Sequence, residues 1–138
     1  MLITKEELRQ YADLVKERDD IIERICRKDS AIKSASVQHI TGMPRAEGNN
    51  VDKIGRAVAQ IERLKELYYT KLLEIESTLF KIEKAISKLD PLERRLIRLR
   101  YVDCKEWEDV CCELGYEWAN THRIHARILQ KLAKDDTL

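Results

Sequence analysis

Near its carboxyl end the chain carries side chains that can bind nucleic acid. Residues 118–132 include no acidic residue, and cationic and amide side chains recur there at helical spacing. Arginine and lysine bind phosphate groups, while arginine and asparagine also form paired hydrogen bonds with the edges of guanine and adenine. We therefore predict that Asn120 and Arg123 contact bases, and that His122 and Arg127 contact either bases or phosphates.

Three further cationic residues complete the candidate DNA-binding set. Lys131 follows on the same segment, and Arg94 and Arg95 lie on an earlier helical segment. We expect these three to bind backbone phosphates, which position a protein on a duplex without reading its sequence. The predicted DNA contacts are Asn120, His122, Arg123, Arg127, Lys131, Arg94 and Arg95.

Three short helical segments with tight breaks must hold these side chains. The first begins with Asp90 as the cap and Pro91 at the first helical position, and Glu93 completes a capping box. This segment should end near residues 102–103. The second covers residues 106–114 and buries one apolar face. That face consists of Trp107, Val110, Cys111 and Leu114.

The third segment is predicted to be the one that approaches DNA. Gly115 should end the second segment because glycine readily adopts the left-handed conformation that closes a helix. The third segment then runs from about residue 118 to about residue 131. Its polar face is basic, whereas the outward positions of the second segment are acidic, so of these two segments the third is the one that can approach phosphate groups. Together the segments predict a helix-turn-helix.

Residues 108–132 resemble, without a gap, the helix-turn-helix of sigma-factor region four. That family has an acidic pair, a valine, a small residue and an apolar residue before the turn, then an isoleucine and a leucine-containing run. The matching residues are Glu108-Asp109-Val110-Cys111, Leu114, Ile124, Ala126 and Leu129-Gln130-Lys131-Leu132. The preceding LERRLIRLRYV is also similar to the helix before the motif. The resemblance implies a module that reads promoter DNA.

Over nearly all of its length the chain also resembles small phage late-gene transcriptional activators of the RinA/ArpU-like kind. The similar features are a long N-terminal helical region, a Pro-Arg loop, a tryptophan in the second short segment and a histidine-arginine step in the third. In this chain they are Gly42-Met43-Pro44-Arg45, Trp107 and His122-Arg123-Ile124-His125. This resemblance implies activation of phage late promoters in the cytoplasm of a bacterial host.

The residues before position 90 predict a long helical region. Thr4 and Glu7 form a capping box, and helical spacing continues to about residue 34. A loop that contains glycine and proline is expected over residues 36–50. After it, alternating steps of three and four residues are typical of a coiled coil. That seam is Val51, Ile54, Val58, Ile61, Lys65, Tyr68, Leu72, Ile75, Leu79, Ile82, Ile86 and Leu89.

So long a seam must pack on the first helix by folding back, on another subunit, or on both. Four apolar side chains lie off the seam, which favours a hairpin that also forms a homo-oligomer, with a dimer preferred. They are Leu64, Leu67, Leu73 and Phe80. Lys65, the polar seam residue, either selects register and partner number or extends its ammonium to water. The predicted architecture is all-α, with an oligomerisation region at 1–90 and a DNA-binding domain at 91–138.

The composition narrows the remaining classes of protein. Charged residues make up 37% of the chain but the net charge is only +1, so any DNA contact must come from a local patch. No apolar run approaches the ~20 residues that a membrane helix needs. The sequence also lacks a signal-peptide core, so we expect a cytoplasmic protein whose four cysteines stay reduced.

The cysteines do not indicate a metal site or a catalytic site. Cys104, Cys111 and Cys112 lack the paired spacing of a zinc knuckle, although His122 and His125 follow them. Cys111 better fits a small buried residue where two helices cross. No residue pattern indicates a nucleophile beside an oxyanion-stabilising cleft. We therefore expect no cofactor, no bound metal and no enzymatic activity.

The favoured function is that of a sequence-specific DNA-binding transcription regulator whose long N-terminal helical region pairs subunits. Two alternatives stay open. The chain could be a sigma-like protein-interaction module that contacts RNA polymerase or a sigma factor, or a structural coiled-coil adaptor. The low net charge favours these alternatives, whereas the acid-free third segment favours DNA.

Overall fold

The computed structural model describes the backbone of residues 3–40 and 49–134, and the side chains of residues 3–34 and 52–134. This part of the chain is helical apart from short connections and contains no strand, which confirms the all-α prediction. Its α-helices are α1 (Lys5–Ile40), α2 (Asn49–Ser87), α3 (Pro91–Ile97), α4 (Trp107–Leu114) and α5 (Trp118–Ala133). A π-helical turn, Arg98–Val102, follows α3.

The chain divides into two compact units, which we call the handle and the head. The handle is Glu17–Ile75 and contains most of α1 and α2. The head is Met1–Lys16 together with Glu76–Leu138. It therefore includes the first turns of α1 and the last turns of α2, in addition to the three short helices predicted from the sequence.

The start of α1 follows the predicted cap. The N–H of Glu7 donates to the Thr4 hydroxyl at 3.2 Å, and the side chains of Ile3 and Leu8 are buried beside it. The backbone N–H of Ile3 also donates to the carbonyl of Leu132, at 2.9 Å. This bond joins the segment before α1 to the last turn of α5 within the head.

The first helix extends further along the chain than the sequence predicts, and the second begins slightly earlier. The predicted helix ends at about residue 34 and the predicted loop covers residues 36–50, whereas α1 continues to Ile40 and α2 begins at Asn49. Residues 35–40 include no glycine or proline, so nothing in them interrupts the helical hydrogen bonds. The motif Gly42-Met43-Pro44-Arg45 lies outside the described residues.

In the handle, α1 and α2 form an antiparallel pair. Lys71 Nζ lies 3.9 Å from Glu17 Oε1, and Lys65 forms an ion pair with Asp29, so later residues of α2 face earlier residues of α1. The α2 seam is buried or half-buried from Val58 to Ile75, as its spacing predicts. The Lys65 ammonium is paired with Asp29 between the helices rather than extended into water. The hydrogen bond with Asp29 raises the pKa of Lys65.

The head has a continuous hydrophobic core that holds its short helices in place. Residues from the start of α1, the end of α2, the π-helical turn and each short helix contribute to it. The buried set is Ile3, Leu8, Ile82, Ala85, Ile86, Leu89, Leu96, Ile97, Leu99, Tyr101, Val110, Ile124, Ile128 and Leu132. Since the last seam positions of α2 belong to this set, the coiled-coil pattern of the sequence also supplies one wall of the head.

The segment of α3 begins and ends where the sequence predicts, but its last turn is wider than an α-helix. Pro91 occupies the first turn, and the Glu93 carboxylate accepts the backbone N–H of Asp90 at 3.1 Å. At the other end, the N–H of Asp103 donates to the Arg98 carbonyl at 2.8 Å, five residues back. That spacing is the hydrogen bond of a π-helix.

A buried ion pair joins α3 to α5. The Glu93 side chain is only 2% exposed, and its two oxygens accept hydrogen bonds from the Lys131 ammonium at 2.8 and 2.9 Å. The Asp90 carboxylate lies 3.6 Å from the same ammonium. The hydrogen bonds to Glu93 raise the pKa of Lys131 above its ordinary value. One carboxylate therefore caps α3 and holds the last turns of α5 against it.

Loss of either partner should destabilise the head, by unequal amounts. Glu93→Ala removes the cap and the ion pair, and we expect the free energy of unfolding to fall by about 2–3 kcal/mol. Lys131→Met leaves a buried carboxylate without its cation, whereas Glu93→Ala leaves a part-exposed ammonium that water can solvate. We expect Lys131→Met to lower the urea midpoint of unfolding more than Glu93→Ala does.

Lys134→Met is the matched control for this comparison. Lys134 is exposed, and its side chain makes no hydrogen bond or ion pair within the described part of the chain. Its replacement should leave the urea midpoint unchanged. Equal midpoints for Lys131→Met and Lys134→Met would show that the head does not depend on the buried pair.

Candidate nucleic-acid interface

Helices α4 and α5 are joined by a turn of three residues. Gly115 adopts the left-handed conformation, with φ of 72° and ψ of 25°, and its N–H donates to the Cys111 carbonyl at 2.9 Å. Glu117 is extended and directly precedes α5, but its side chain makes no cap hydrogen bond. Two helices joined by a short glycine-containing turn form a helix-turn-helix, as predicted.

Burial of one face of α5 fixes which side chains point outward. The inward residues of this helix, which packs against α3 and α4, are Thr121, Ile124, His125, Ile128 and Leu132. The Thr121 hydroxyl donates to the Glu117 carbonyl at 3.0 Å, which lets a polar side chain occupy the core. The exposed residues opposite are Ala119, Arg123, Ala126, Arg127 and Gln130. We call these five residues the α5 outer face.

Two predicted DNA contacts lie on the α5 outer face with their cationic groups available. Arg123 and Arg127 are exposed and form no hydrogen bond or ion pair with the residues described. Their spacing of four residues places both on one side of the helix. Asn120 borders this face and is half-buried. Ala119 and Ala126 beside them are small, so the helix backbone could approach a groove closely.

Two other predicted contacts, Arg94 and Arg95, cap helix ends. Arg94 Nη1 donates to the Leu89 carbonyl at 3.0 Å and to the Ser87 carbonyl at 3.4 Å, just after α2 ends and at its last residue. Arg95 Nη2 donates to the Glu113 carbonyl at 3.3 Å, near the end of α4. Both guanidinium groups therefore bind backbone carbonyls in or just after the last turn of a helix. Their remaining N–H groups could still bind phosphate.

Lys131, the last predicted contact on α5, is the ammonium of the buried ion pair with Glu93. A lysine that neutralises a protein carboxylate releases no counterion from DNA unless it first leaves that carboxylate. The sequence gives no sign of this pairing because 38 residues separate the two side chains. The structure thus brings Lys131 close to α3 rather than to the α5 outer face.

His122 lies between two tryptophan rings. The centre of its ring is 4.4 Å from the ring centre of Trp107 and 4.4 Å from that of Trp118. Its Nε2 atom is buried and has no hydrogen-bond partner among the described residues. His122 is thus held by ring contacts at the edge of the α5 outer face. Trp118 itself is 54% exposed and is not among the DNA contacts predicted from the sequence.

His125 is a buried neutral residue of the head. Its Nε2 shares a hydrogen bond of 2.7 Å with the Tyr101 hydroxyl, and the Trp107 ring contacts it edge-on. Burial, together with the smaller effects of the charges of Lys5, His122 and Arg100, lowers the pKa of His125 to about 4. His125 therefore packs where the helices meet and is not available to DNA.

The described residues do not bring a metal site together. In residues 3–34 and 52–134 no three His, Cys, Asp or Glu side chains are grouped so that they could hold a metal ion. Each cysteine there is a free thiol, and Cys111 is half-buried rather than fully buried as expected. None of the described helices is long and apolar enough to cross a membrane.

Comparison with known proteins does not identify a family. No family model, curated protein or solved structure matches this chain. The similarity to sigma region four and to phage activators therefore stays a prediction that rests on the residues quoted above.

The neutral state of His125 should make the head sensitive to acid. The unfolded chain binds a proton at a pKa near 6.5, but the folded chain does so only near 4. Its contribution is therefore fully present above pH 6.5 and is lost as the pH falls toward 4. From that difference we expect a loss of about 3 kcal/mol in the free energy of unfolding.

The double variant Tyr101→Phe, His125→Phe tests this source of acid sensitivity. It removes the titrating ring and the hydroxyl that would otherwise lose its partner. Urea unfolding at intervals between pH 7 and pH 4 should give a shallower loss of stability in this variant than in the wild type. Identical slopes for the two proteins would assign the acid sensitivity to other groups.

Proposed function

We propose that this protein is a sequence-specific DNA-binding transcription regulator whose α5 enters the major groove. The observation that carries the proposal is the α5 outer face, where two unpaired arginines and two alanines lie on the second helix of the helix-turn-helix. A helix presented by such a turn fits the width of the major groove, and its first turns contact base edges. No acidic side chain of α5 opposes this approach.

Within this proposal the candidate contacts have different roles. Arg123 and Asn120 lie in the first half of α5 and suit guanine and adenine, respectively. Arg127 lies one turn further and suits a phosphate or a second base. His122, Arg94 and Arg95 would stabilise the head in addition to any contact they make, since each is held by protein groups. Gln130 is not among the contacts predicted from the sequence, but it joins the candidates because it is exposed on the same face.

Gel retardation with duplexes selected from random DNA tests the proposal. Arg123→Ala should weaken binding by about 1–3 kcal/mol and relax the preference at one base position. Arg127→Ala should weaken binding to all duplexes alike and reduce the slope of log affinity against log salt by about one. Arg24→Ala is the matched control, because Arg24 is an exposed arginine of α1 in the handle. If retardation by the wild type depends on neither the salt concentration nor the duplex sequence, the proposal is wrong.

We further propose that copies of the chain pair through the handle, as a homo-oligomer with a dimer preferred. Support comes from the apolar side chains that the helix pair leaves uncovered in the handle. Leu64 and Leu67 are 43% and 69% exposed, and Tyr69 and Leu73 are 46% and 71% exposed. In the head, the α2 residue Phe80 is 68% exposed. Pairing would bury these groups and place two reading helices on one duplex.

Light scattering measures the pairing directly. Wild type should have at least twice the monomer mass of 16.2 kDa at micromolar concentration. Leu67→Glu places a charge beside Leu64, and Leu73→Glu places a charge beside Tyr69. A variant whose new charge lies in the interface should have the monomer mass. Gln60→Glu, at an exposed polar position of the same helix, is the control for added charge. A monomeric wild type would contradict the proposal.

The resemblance to phage activators supports a narrower proposal, that the regulated genes are phage late genes. Transcription from a late promoter in a bacterial host should rise when the wild-type chain is produced, and Arg123→Ala should reduce that rise. A chain that lowers transcription would instead be a repressor.

A second function is favoured by the exposed aromatic side chains at the start of α5. Tyr116 is 39% exposed and Trp118 is 54% exposed, and such residues are enriched in protein interfaces. The head could then contact RNA polymerase or a sigma factor. Trp118→Ala would weaken binding to the purified polymerase or sigma factor and leave DNA retardation unchanged. Arg123→Ala would weaken DNA retardation and leave binding to the polymerase or sigma factor unchanged.

A further inference from the structure

The head contains a cavity of about 310 Å³ that is separate from the α5 outer face. It is formed by the first turns of α1, the π-helical turn and the segment that leads into α4. Its lining residues are Lys5, Arg9, Arg100, Tyr101, Cys104 and Trp107. A volume of this size lies at the lower end of the range for small-molecule sites.

The lining of this cavity is cationic. Lys5, Arg9 and Arg100 contribute three positive charges, and no acidic residue is among the residues that line it. Arg9 forms an ion pair with Glu6 at 3.1 Å, which offsets one of these charges. The Lys5 ammonium makes no hydrogen bond or ion pair within the part of the chain that the structure describes. An excess of positive charge therefore faces a space large enough for a ligand.

Arg100 is held in place before any ligand binds. Its Nη1 donates to the Lys105 carbonyl at 2.8 Å, and its guanidinium carbon lies 4.8 Å from the centre of the Trp107 ring. The Lys105 carbonyl is itself fixed, because the Lys105 N–H donates to the Leu99 carbonyl at 3.0 Å. Cys104 between them adopts a φ of 55°, which lets the chain turn back after the π-helical turn. The remaining guanidinium N–H groups form a prearranged donor set.

We propose that this cavity binds the phosphate group of a phosphate ester. Arginine binds phosphate through paired hydrogen bonds, and Lys5 and Arg9 add the charge that a phosphate needs. The cavity leaves room for an organic group beside the phosphate. Two sources could supply this chemistry, namely a free nucleotide or the backbone of bound DNA. The cavity does not depend on α5 reading bases, so the proposal can stand if the proposed function fails.

Protection of Cys104 from alkylation reports occupancy of the cavity. Cys104 lines the cavity and is exposed, and the exposed thiols of Cys26 and Cys112 lie outside the lining and serve as internal references. The full-length protein is treated with N-ethylmaleimide alone, with adenosine, with adenosine 5′-monophosphate, or with a short duplex. The modified peptides are then quantified by mass spectrometry. A ligand in the cavity should slow the alkylation of Cys104 in proportion to occupancy and leave the alkylation of Cys26 unchanged.

Variants identify the groups that hold the phosphate. Lys5→Gln with Arg9→Gln, and separately Arg100→Gln, should each weaken the apparent affinity by about tenfold or more. Lys16→Gln with Arg24→Gln removes the same number of charges from exposed positions outside the lining and should have no effect. Circular dichroism checks that Arg100→Gln folds. If Arg100→Gln does not fold, the double variant Lys5→Gln with Arg9→Gln still tests the site.

Each outcome decides between the sources or ends the proposal. Protection by the monophosphate but not by adenosine supports a free organic phosphate. Protection by the duplex alone, lost in the Lys5, Arg9 variant, supports a backbone phosphate of bound DNA. No protection by any probe, or equal protection in that variant and in wild type, overturns the proposal. Monophosphate protection without gel retardation would keep this site and end the DNA-binding proposal.

Discussion

The head depends on one buried carboxylate and the cation that neutralises it. Glu93 caps α3, and its two oxygens also bind Lys131 in the last turns of α5. A buried charge is stable only when its partners are in place, so this pair favours one rotation and one depth of α5 against α3. The hydrogen bond from Ile3 to the Leu132 carbonyl fixes the same end of α5 to the chain before α1. The outward direction of Arg123 and Arg127 follows from these constraints.

The cationic residues of the head do not share one role, although they have the same charge. Arg94 and Arg95 satisfy carbonyls at helix ends, and Lys131 neutralises a buried acid. Only Arg123 and Arg127 among the predicted cationic contacts lack a protein partner within the described residues. Two areas of the head therefore present cationic side chains at a surface or cavity that is open to a ligand. These are the α5 outer face and the cavity beside Arg100.

Aromatic rings connect these two areas. The Trp107 ring contacts Arg100 at the cavity and His122 at the edge of the α5 outer face, and it also packs against the buried His125. Because His125 is neutral, it adds no charge to the core near neutral pH. A change at either surface that moves Trp107 would reach the other through direct contact. The contacts that hold this cluster together are therefore mainly those between its rings.

The sequence by itself determined the helix starts and inward faces that depend on neighbouring residues, but not the end of α1 or the π-helical turn. Caps at Thr4 and Asp90, the left-handed Gly115 and the seam of α2 predicted the helices and their inward faces, because neighbouring residues set those features. Tertiary structure decided what depends on distant residues: the pairing of Lys131 with Glu93, the neutral state of His125 and the cavity. These groups meet only when separate helices pack, so no local spacing could reveal them. Only the fold, therefore, separated cations available to a ligand from cations that stabilise the protein.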